Sequence, residues 1–125
     1  MTMLSAETLE VIRTAAAAAV DKKAFQIVCL EVGDLTSYAD SFLLCSAASD
    51  RQVGAVVDGI VRRLRDGGQK PLHVEGDGAG GWVLLDYGDF IVHVFTEEKR
   101  SYYALDSLWG DAPKVAPETL GIESP

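Results

Sequence analysis

The chain has 125 residues and a mass of 13.4 kDa, which at roughly 100–200 residues per domain predicts a single domain. Hydrophobic residues make up 48% of the sequence and charged residues 24%, the composition of an ordinary soluble protein. No apolar run approaches the roughly 18 residues of a membrane span. The alanine run at 15–19 lacks the basic flank of a signal peptide. We therefore expect a cytoplasmic protein with no membrane partner.

The net charge is −8, and most of it lies in one acidic segment, residues 75–111. That segment contains eight acidic and two basic side chains, whereas residues 1–74 contain nine and eight. An acidic surface repels phosphate backbones and attracts basic proteins. The distribution argues against direct sequence-specific binding of nucleic acid and favours a basic protein partner. An acidic surface that only keeps the protein soluble has the same composition, and charge alone does not separate the two.

Hydrophobic periodicity and turn residues predict eight elements. In chain order they are a helix at 6–21, strands at 25–32 and 41–47, a helix between Ser49 and Gly67, strands at 71–75, 82–86 and 90–95, and a helix at 97–108. The strand–helix–strand order in the middle favours a right-handed crossover, and the last two strands read as a hairpin. We expect an α/β fold with a mixed β-sheet covered by helices. Residues 1–112 form the predicted domain, and residues 113–125 a loose C-terminal tail.

Three patterns are weak candidates for chemistry. The loop Gly76–Gly81 matches G-x-G-x-x-G, but it leads into a strand, whereas a dinucleotide site needs the loop to open a helix. Asp86 and Asp89 flank a hairpin turn as ordinary turn residues, and no Asp-x-Asp pair is present for two-metal nucleotidyl transfer. The histidines and cysteines share no metal-ligand spacing, and Cys29 and Cys45 indicate reduced core thiols. We expect no enzyme activity, no cofactor and no metal.

Aromatic side chains interleaved with carboxylates in the acidic segment predict a protein-binding patch. In the strand at 82–86, Trp82, Leu84 and Asp86 share one face, while the intervening residues share the other. A face that holds both Trp82 and Asp86 is only partly buried. Trp82 is therefore predicted to be an exposed aromatic anchor, whereas Tyr103 and Trp109 are predicted to lie in the core.

Three stretches of the chain, Asp40–Val53, Glu75–Phe95 and Arg100–Pro113, resemble the ribosomal silencing factor family, also called Iojap-like. The most specific of them contains Trp-Val-Leu-Leu-Asp-Tyr-Gly-Asp followed by Val-His-Val-Phe, a run too long for chance agreement. The sequence departs from the family pattern at Ala47, where glycine is expected, and at Asp106, where glutamate is commoner. Neither departure touches the predicted binding strand.

The resemblance implies a nucleotidyltransferase-like fold without catalytic residues. It also implies binding to the large ribosomal subunit through its ribosomal protein fourteen, steric blocking of small-subunit joining when nutrients run short, and a role in late large-subunit assembly. The matching stretch places the partner contact at Trp82, Asp86 and Tyr87, and the same strand and turn add Leu84 and Asp89. A nucleotidyltransferase-type enzyme and a homo-oligomeric scaffold, such as a homodimer, stay open as alternatives.

Overall fold

The computed structural model describes residues 4–77 and 79–122. Its strands are β1 (Phe25–Glu31), β2 (Ser41–Ala47), β3 (His73–Glu75), β4 (Trp82–Asp86) and β5 (Phe90–Thr96), and its helices are α1 (Ala6–Asp21), α2 (Asp50–Asp66), α3 (Glu97–Tyr103), α4 (Leu105–Leu108) and α5 (Pro117–Leu120). The outer ends of the predicted domain and tail, residues 1–3 and 123–125, lie outside the described residues, as does Gly78 of the glycine-rich loop.

The strands form one five-stranded sheet in the order β1-β2-β5-β4-β3. Strands β2 and β5 are parallel, and every other neighbouring pair is antiparallel. Strand β3 therefore runs parallel to β2, so α2 is a crossover between parallel strands, although β5 and β4 lie between them. The predicted β4–β5 hairpin and the mixed α/β architecture are confirmed.

Local hydrogen bonds explain where the two long helices begin. The Ser5 hydroxyl accepts the Thr8 N–H at 3.0 Å, and the Ser49 hydroxyl accepts the Gln52 N–H at 3.1 Å. Gln52 reaches back to accept the N–H of Ala48, the residue before the cap, at 2.8 Å, so the predicted capping box is formed with its second bond shifted by one residue. No helix within the described residues is long and apolar enough to cross a bilayer.

Helices α1 and α2 cover one face of the sheet, which we call the helix-covered face. Its fully buried side chains include Ile12, Leu43, Val53, Val56, Ile60, Leu85, Val92 and Val94. Cys29 and Cys45 lie in this core as free thiols. Burial raises the pKa of Cys29 to about 11 and that of Cys45 to about 12, so both thiols stay protonated and unreactive, as expected of core cysteines.

The opposite face of the sheet, which we call the aromatic face, has only partial cover. Its buried core combines Leu30, Phe42, Leu44 and Phe95 from the strands with Val32, Ala39 and Ala112 from the connections. Leu105 and Trp109, from α4 and the residue after it, pack against this core. The cover stops there, because the short α3–α4 segment lies over part of the sheet only.

The helix predicted at 97–108 is broken in two at Ala104. This residue has φ 52° and ψ 42°, the left-handed conformation, and its N–H donates to the Arg100 carbonyl as the cap of α3. The break turns the chain, so that Leu108, which a continuous helix would have aimed at the core, is 70% exposed. The prediction of a single helix is wrong, because a single left-handed residue redirects its second half.

The described part of the predicted loose tail, residues 113–122, is packed against the domain. The Glu31 N–H donates to the Pro113 carbonyl at 2.8 Å, and the Val115 N–H donates to the Cys29 carbonyl at 2.9 Å. Helix α5 then buries Leu120 in the core beneath α1. The segment therefore covers half of the outer edge of β1, and its prolines, which suggested looseness, sit where no N–H is needed.

A candidate protein-binding surface on the aromatic face

Strand β4 supplies the centre of the candidate surface. Trp82, Leu84 and Asp86 are half-buried on the aromatic face, while the residues between them are buried on the helix-covered face. In the antiparallel register Leu84 lies opposite His93, and Asp86 lies opposite Ile91. The alternation along β4 is the one that the sequence predicted.

Trp82, predicted to be an exposed aromatic anchor on a partly buried face, lies partly exposed inside an aromatic cluster. Its ring centroid lies 5.3 Å from that of Phe95 and 4.6 Å from that of Tyr103. Its indole N–H donates to Nδ1 of His93 at 3.3 Å. The ring is thus held on three sides and presents only part of its surface to a partner.

His93 is the buried centre of this cluster. Its ring is 5% exposed and lies between Trp82 and the edge of Phe42, at centroid distances of 5.9 and 5.2 Å. Burial lowers its pKa to about 4, so the imidazole is neutral near pH 7. Because Nδ1 accepts from Trp82, the proton sits on Nε2, which is buried and has no partner within the described residues.

Tyr87 is buried and does not belong to the surface. It continues the alternation of β4 onto the helix-covered face, where its ring stacks on Phe90 at 5.1 Å. Burial raises its pKa to about 12, and its hydroxyl has no partner among the residues described. Asp86 accepts the Gly88 N–H at 2.8 Å, as a turn residue does, and Asp89 lies exposed beyond the turn.

The accessible part of the aromatic face forms what we call the platform. Its members are Trp82, Leu84, Asp86, Ile91 and Tyr103, all partly or largely exposed. Ile91 was missed from the sequence, although the alternation along the hairpin places it beside Asp86. Tyr103, predicted to be core, is 41% exposed against Trp82.

One carboxylate, Glu75, borders the platform on its β3 side. Glu75 lies opposite Leu84 in the β3–β4 register, and His73 lies opposite Asp86. The His73 and Glu75 side chains pair at 3.0 Å in water-exposed positions, where such a pair contributes little to stability. The surface therefore combines an apolar and aromatic centre with a polar border on the β3 side, formed by His73 and Glu75.

The glycine-rich loop is explained by backbone geometry. Gly76 has φ 86°, and a Cβ there would lie 2.3 Å from the Trp82 carbonyl oxygen, so only glycine fits between β3 and β4. The loop enters a strand and does not open a helix. A cavity of about 600 Å³ beside the loop is lined by three carboxylates, Asp50, Glu97 and Glu98, and by one base, Lys99, so its net charge disfavours a phosphate. Within the described ranges no group of three or more potential ligand side chains is placed to hold a metal ion.

These features define a small mixed α/β domain with one closed and one half-open sheet face. The profile of the family described as "Ribosomal silencing factor during starvation" matches residues 5–124. The ribosomal silencing factor RsfS of Bacillus subtilis is 43% identical over 103 residues, which are 82% of this chain and 87% of that protein. The chain belongs to the ribosomal silencing factor family.

Two crystal structures share the fold. A protein from Chromobacterium violaceum superposes with a TM-score of 0.78 at 35% identity, over 81% of this chain and 84% of the other. A protein from Bacillus halodurans superposes with a TM-score of 0.75 at 36% identity, over 86% and 97% of the two chains. The resemblance recognised from three stretches of the sequence is thus confirmed over most of the chain.

Proposed function

We propose that the protein represses translation by binding the large ribosomal subunit, through its ribosomal protein fourteen, and sterically blocking the small subunit from joining. Family membership supports the ribosomal role, since the matching family and relative are both named as ribosomal silencing factors. A role in late large-subunit assembly is part of the same proposal. Such a partner places the protein in the cytoplasm.

The platform is the observation that supports a protein partner. Its centre carries Trp82, Leu84, Ile91 and Tyr103, and stable interfaces use aromatic and aliphatic anchors of this kind, surrounded by a polar border. Asp86 within the platform and Asp89 at the adjacent turn complete the proposed contact. Tyr87 supports this surface from the core and does not touch the partner.

The acidic segment supports a basic partner. Eight of its side chains are carboxylates and two are basic, and one of those bases, Arg100, is buried against Asp106. That pair cancels one charge of each sign, so the segment keeps seven carboxylates against Lys99. Ribosomal proteins are typically basic because they neutralise RNA phosphates, so an acidic surface attracts a ribosomal protein and repels exposed RNA. This favours a protein contact on the subunit.

The mechanism requires occlusion and no turnover. A rigid domain that binds a single protein at the joining face clashes with the incoming subunit, so even a modest contact area excludes a much larger interface. No cofactor or metal enters this mechanism, and the names of the relatives describe regulators. We propose on this basis that the protein is not an enzyme.

Co-sedimentation with separated subunits tests the proposal. We expect the protein to pellet with large subunits and not with small ones, and to reduce joining when both are mixed. Leu84→Lys places a positive charge at the centre of the platform, so it should weaken binding at least about tenfold, roughly 1.4 kcal/mol. Equal pelleting with both subunits, or with neither, contradicts the proposal.

Val20→Lys is the matched control. Val20 is 46% exposed near the end of α1, away from the platform and its neighbouring turn, so introducing a lysine there should leave both binding and joining at the parental level. An equal loss of binding in the two variants would indicate that the contact lies outside the platform. A purified sample that hydrolysed or transferred a nucleotide with magnesium would instead favour the nucleotidyltransferase alternative.

The homo-oligomeric alternative uses the same surface. A second copy that covered the platform would compete with the ribosome, so mass measured over a range of protein concentrations separates the two. A mass that stays at 13.4 kDa at the concentrations used for pelleting supports the ribosomal contact. A homodimer that Leu84→Lys dissociates assigns the platform to self-association.

A further inference from the structure

Arg100 connects four elements through a single buried guanidinium group. It lies in α3 and is 9% exposed. Its Nη1 donates to the Gln26 carbonyl of β1 and to the Ser46 hydroxyl of β2. Its Nε and Nη2 donate to the two carboxylate oxygens of Asp106 in α4, at 3.1 and 2.9 Å. Such a two-pronged contact fixes angle as well as distance.

The sheet is locally irregular where it receives this arginine. The β1–β2 register shifts between Phe25 and Val28, and Gln26 has φ 50°, in the left-handed region. A bulge of this kind removes a carbonyl from the regular ladder and redirects it. Here the Gln26 carbonyl becomes an acceptor for Arg100, while the Gln26 side chain accepts from Ser46 at 3.2 Å.

Helix α4 depends on contacts outside itself. It has four residues and no side-chain cap at its start, which follows the left-handed Ala104. A helix of one turn is not stable alone, because it has too few hydrogen bonds to offset the entropy lost in forming the first turn. The Asp106 carboxylate, held by Arg100, connects α4 to α3 and the sheet. Hydrogen bonding to Arg100 also lowers the pKa of Asp106.

The part of the platform formed by Tyr103 depends on this connection between α3, α4 and the sheet. Tyr103, at the end of α3, packs on Trp82, and Trp109, after α4, packs edge-on against Phe42 at 5.2 Å. If the α3–α4 segment shifts, Tyr103 leaves Trp82 and the platform changes shape. The contact surface therefore depends on groups that no partner touches.

We propose that Arg100 is a positioning residue, whose paired contact with Asp106 locks the α3–α4 segment in the orientation that makes the platform competent to bind. This inference rests on the proposed function, because competence is defined by binding to the large subunit. Arg100 and Asp106 act on the partner only through Tyr103 and Trp109.

Asp106→Asn tests the lock, since asparagine keeps the size of the side chain and loses the charged two-pronged contact. We expect amide hydrogen exchange at 104–109 to accelerate about tenfold while exchange in the strands is unchanged. Affinity for large subunits should fall about tenfold. Asp106→Glu, which restores a carboxylate, should recover both measurements to within about threefold.

Asp66→Asn makes the same change of charge on an exposed residue at the end of α2, outside the acidic segment, and should leave both measurements unchanged. Parental exchange in Asp106→Asn would overturn the lock. Fast exchange with parental affinity would show that the orientation of the segment does not matter, and lost affinity with parental exchange would make Asp106 a direct contact. A parental protein that fails to pellet with large subunits overturns the proposed function, while the exchange data still report whether the pair holds α4.

Discussion

The two faces of the sheet are built from adjacent residues of the same strands but are closed to different degrees. On the helix-covered face, the long helices α1 and α2 bury a continuous aliphatic core. On the aromatic face, two short helices cover part of a cluster rich in rings. Burial on the helix-covered face contributes most of the stability of the fold, whereas the aromatic face leaves enough surface exposed to serve as an interface. Substitutions that differ only in face should therefore separate stability from binding.

The largest contrast is expected between Leu85 and Leu84, neighbours that point to opposite faces. Leu85 is fully buried, so Leu85→Ala should reduce the free energy of unfolding by about 2–5 kcal/mol. Leu84 is only partly buried, so Leu84→Ala should lose less, about 1–2 kcal/mol, and should in addition weaken binding to large subunits. Urea unfolding and co-sedimentation of both variants provide the measurement. Equal losses of stability would show that the aromatic face is as closed as the other.

The second prediction concerns pH and the buried imidazole. The pKa of His93 is lowered from 6.5 to about 4 in the folded chain, so the unfolded chain binds the extra proton first. Stability should be fully present above about pH 6.5 and be lost as the pH falls towards 4, by about 2 kcal/mol at pH 5. Urea unfolding between pH 7.5 and 5 measures this slope.

Two variants identify the group responsible. His93→Gln keeps an acceptor for Trp82 and cannot titrate, so it should flatten the slope across this range. His73→Gln, at an exposed position, should keep the parental slope. If both variants retain the slope, another group carries the pH dependence.

A smaller effect is expected at Tyr87, because its buried hydroxyl has no partner in the described part of the chain. Tyr87→Phe removes an unpaired polar group and keeps the ring on Phe90, so stability should rise by up to about 1 kcal/mol with binding unchanged. Tyr38→Phe, at a residue 79% exposed, should change neither. If Tyr87→Phe bound large subunits more weakly than the parent, Tyr87 would be part of the partner contact.

The smallest effect is expected from Asp86→Asn. Asparagine still accepts the Gly88 N–H, so stability should change by less than about 0.5 kcal/mol. Loss of one negative charge from the platform should slow association with large subunits by a few fold at low salt, and less at high salt. Asp66→Asn removes the same charge from the end of α2 and should not slow it. An identical effect of both changes would indicate net charge alone.

Much of the fold follows from local signals. The predicted strands at 41–47 and 82–86 coincide with β2 and β4, because burial patterns and turn residues delimit them. The capping box at Ser49 and the β4–β5 hairpin are likewise local. The break at Ala104 depends on the contacts that Arg100 makes with the sheet, and the packing of residues 113–122 depends on contacts with β1. Neither set of contacts leaves a local signal in composition or hydrophobic periodicity.

The candidate site was half predictable. Alternation correctly placed Leu84 and Asp86 on the half-open face. The same alternation puts Tyr87 on the helix-covered face, whereas the family resemblance had placed it in the partner contact. The ring contacts of Trp82 with His93 and Tyr103 could not be predicted, because those residues come from other elements and no rule along one strand contains them.

The placement of β5 beside β2 has a consequence for how the chain folds. The β1–β2 and β4–β5 pairs are hairpins that close over short stretches of sequence, but the β2–β5 pair at the centre joins residues separated by α2, β3 and β4. Closing that long loop costs more chain entropy than closing either hairpin. The central parallel pair requires β5, the last strand of the sheet, so neither face of the sheet is complete until that strand has been synthesised.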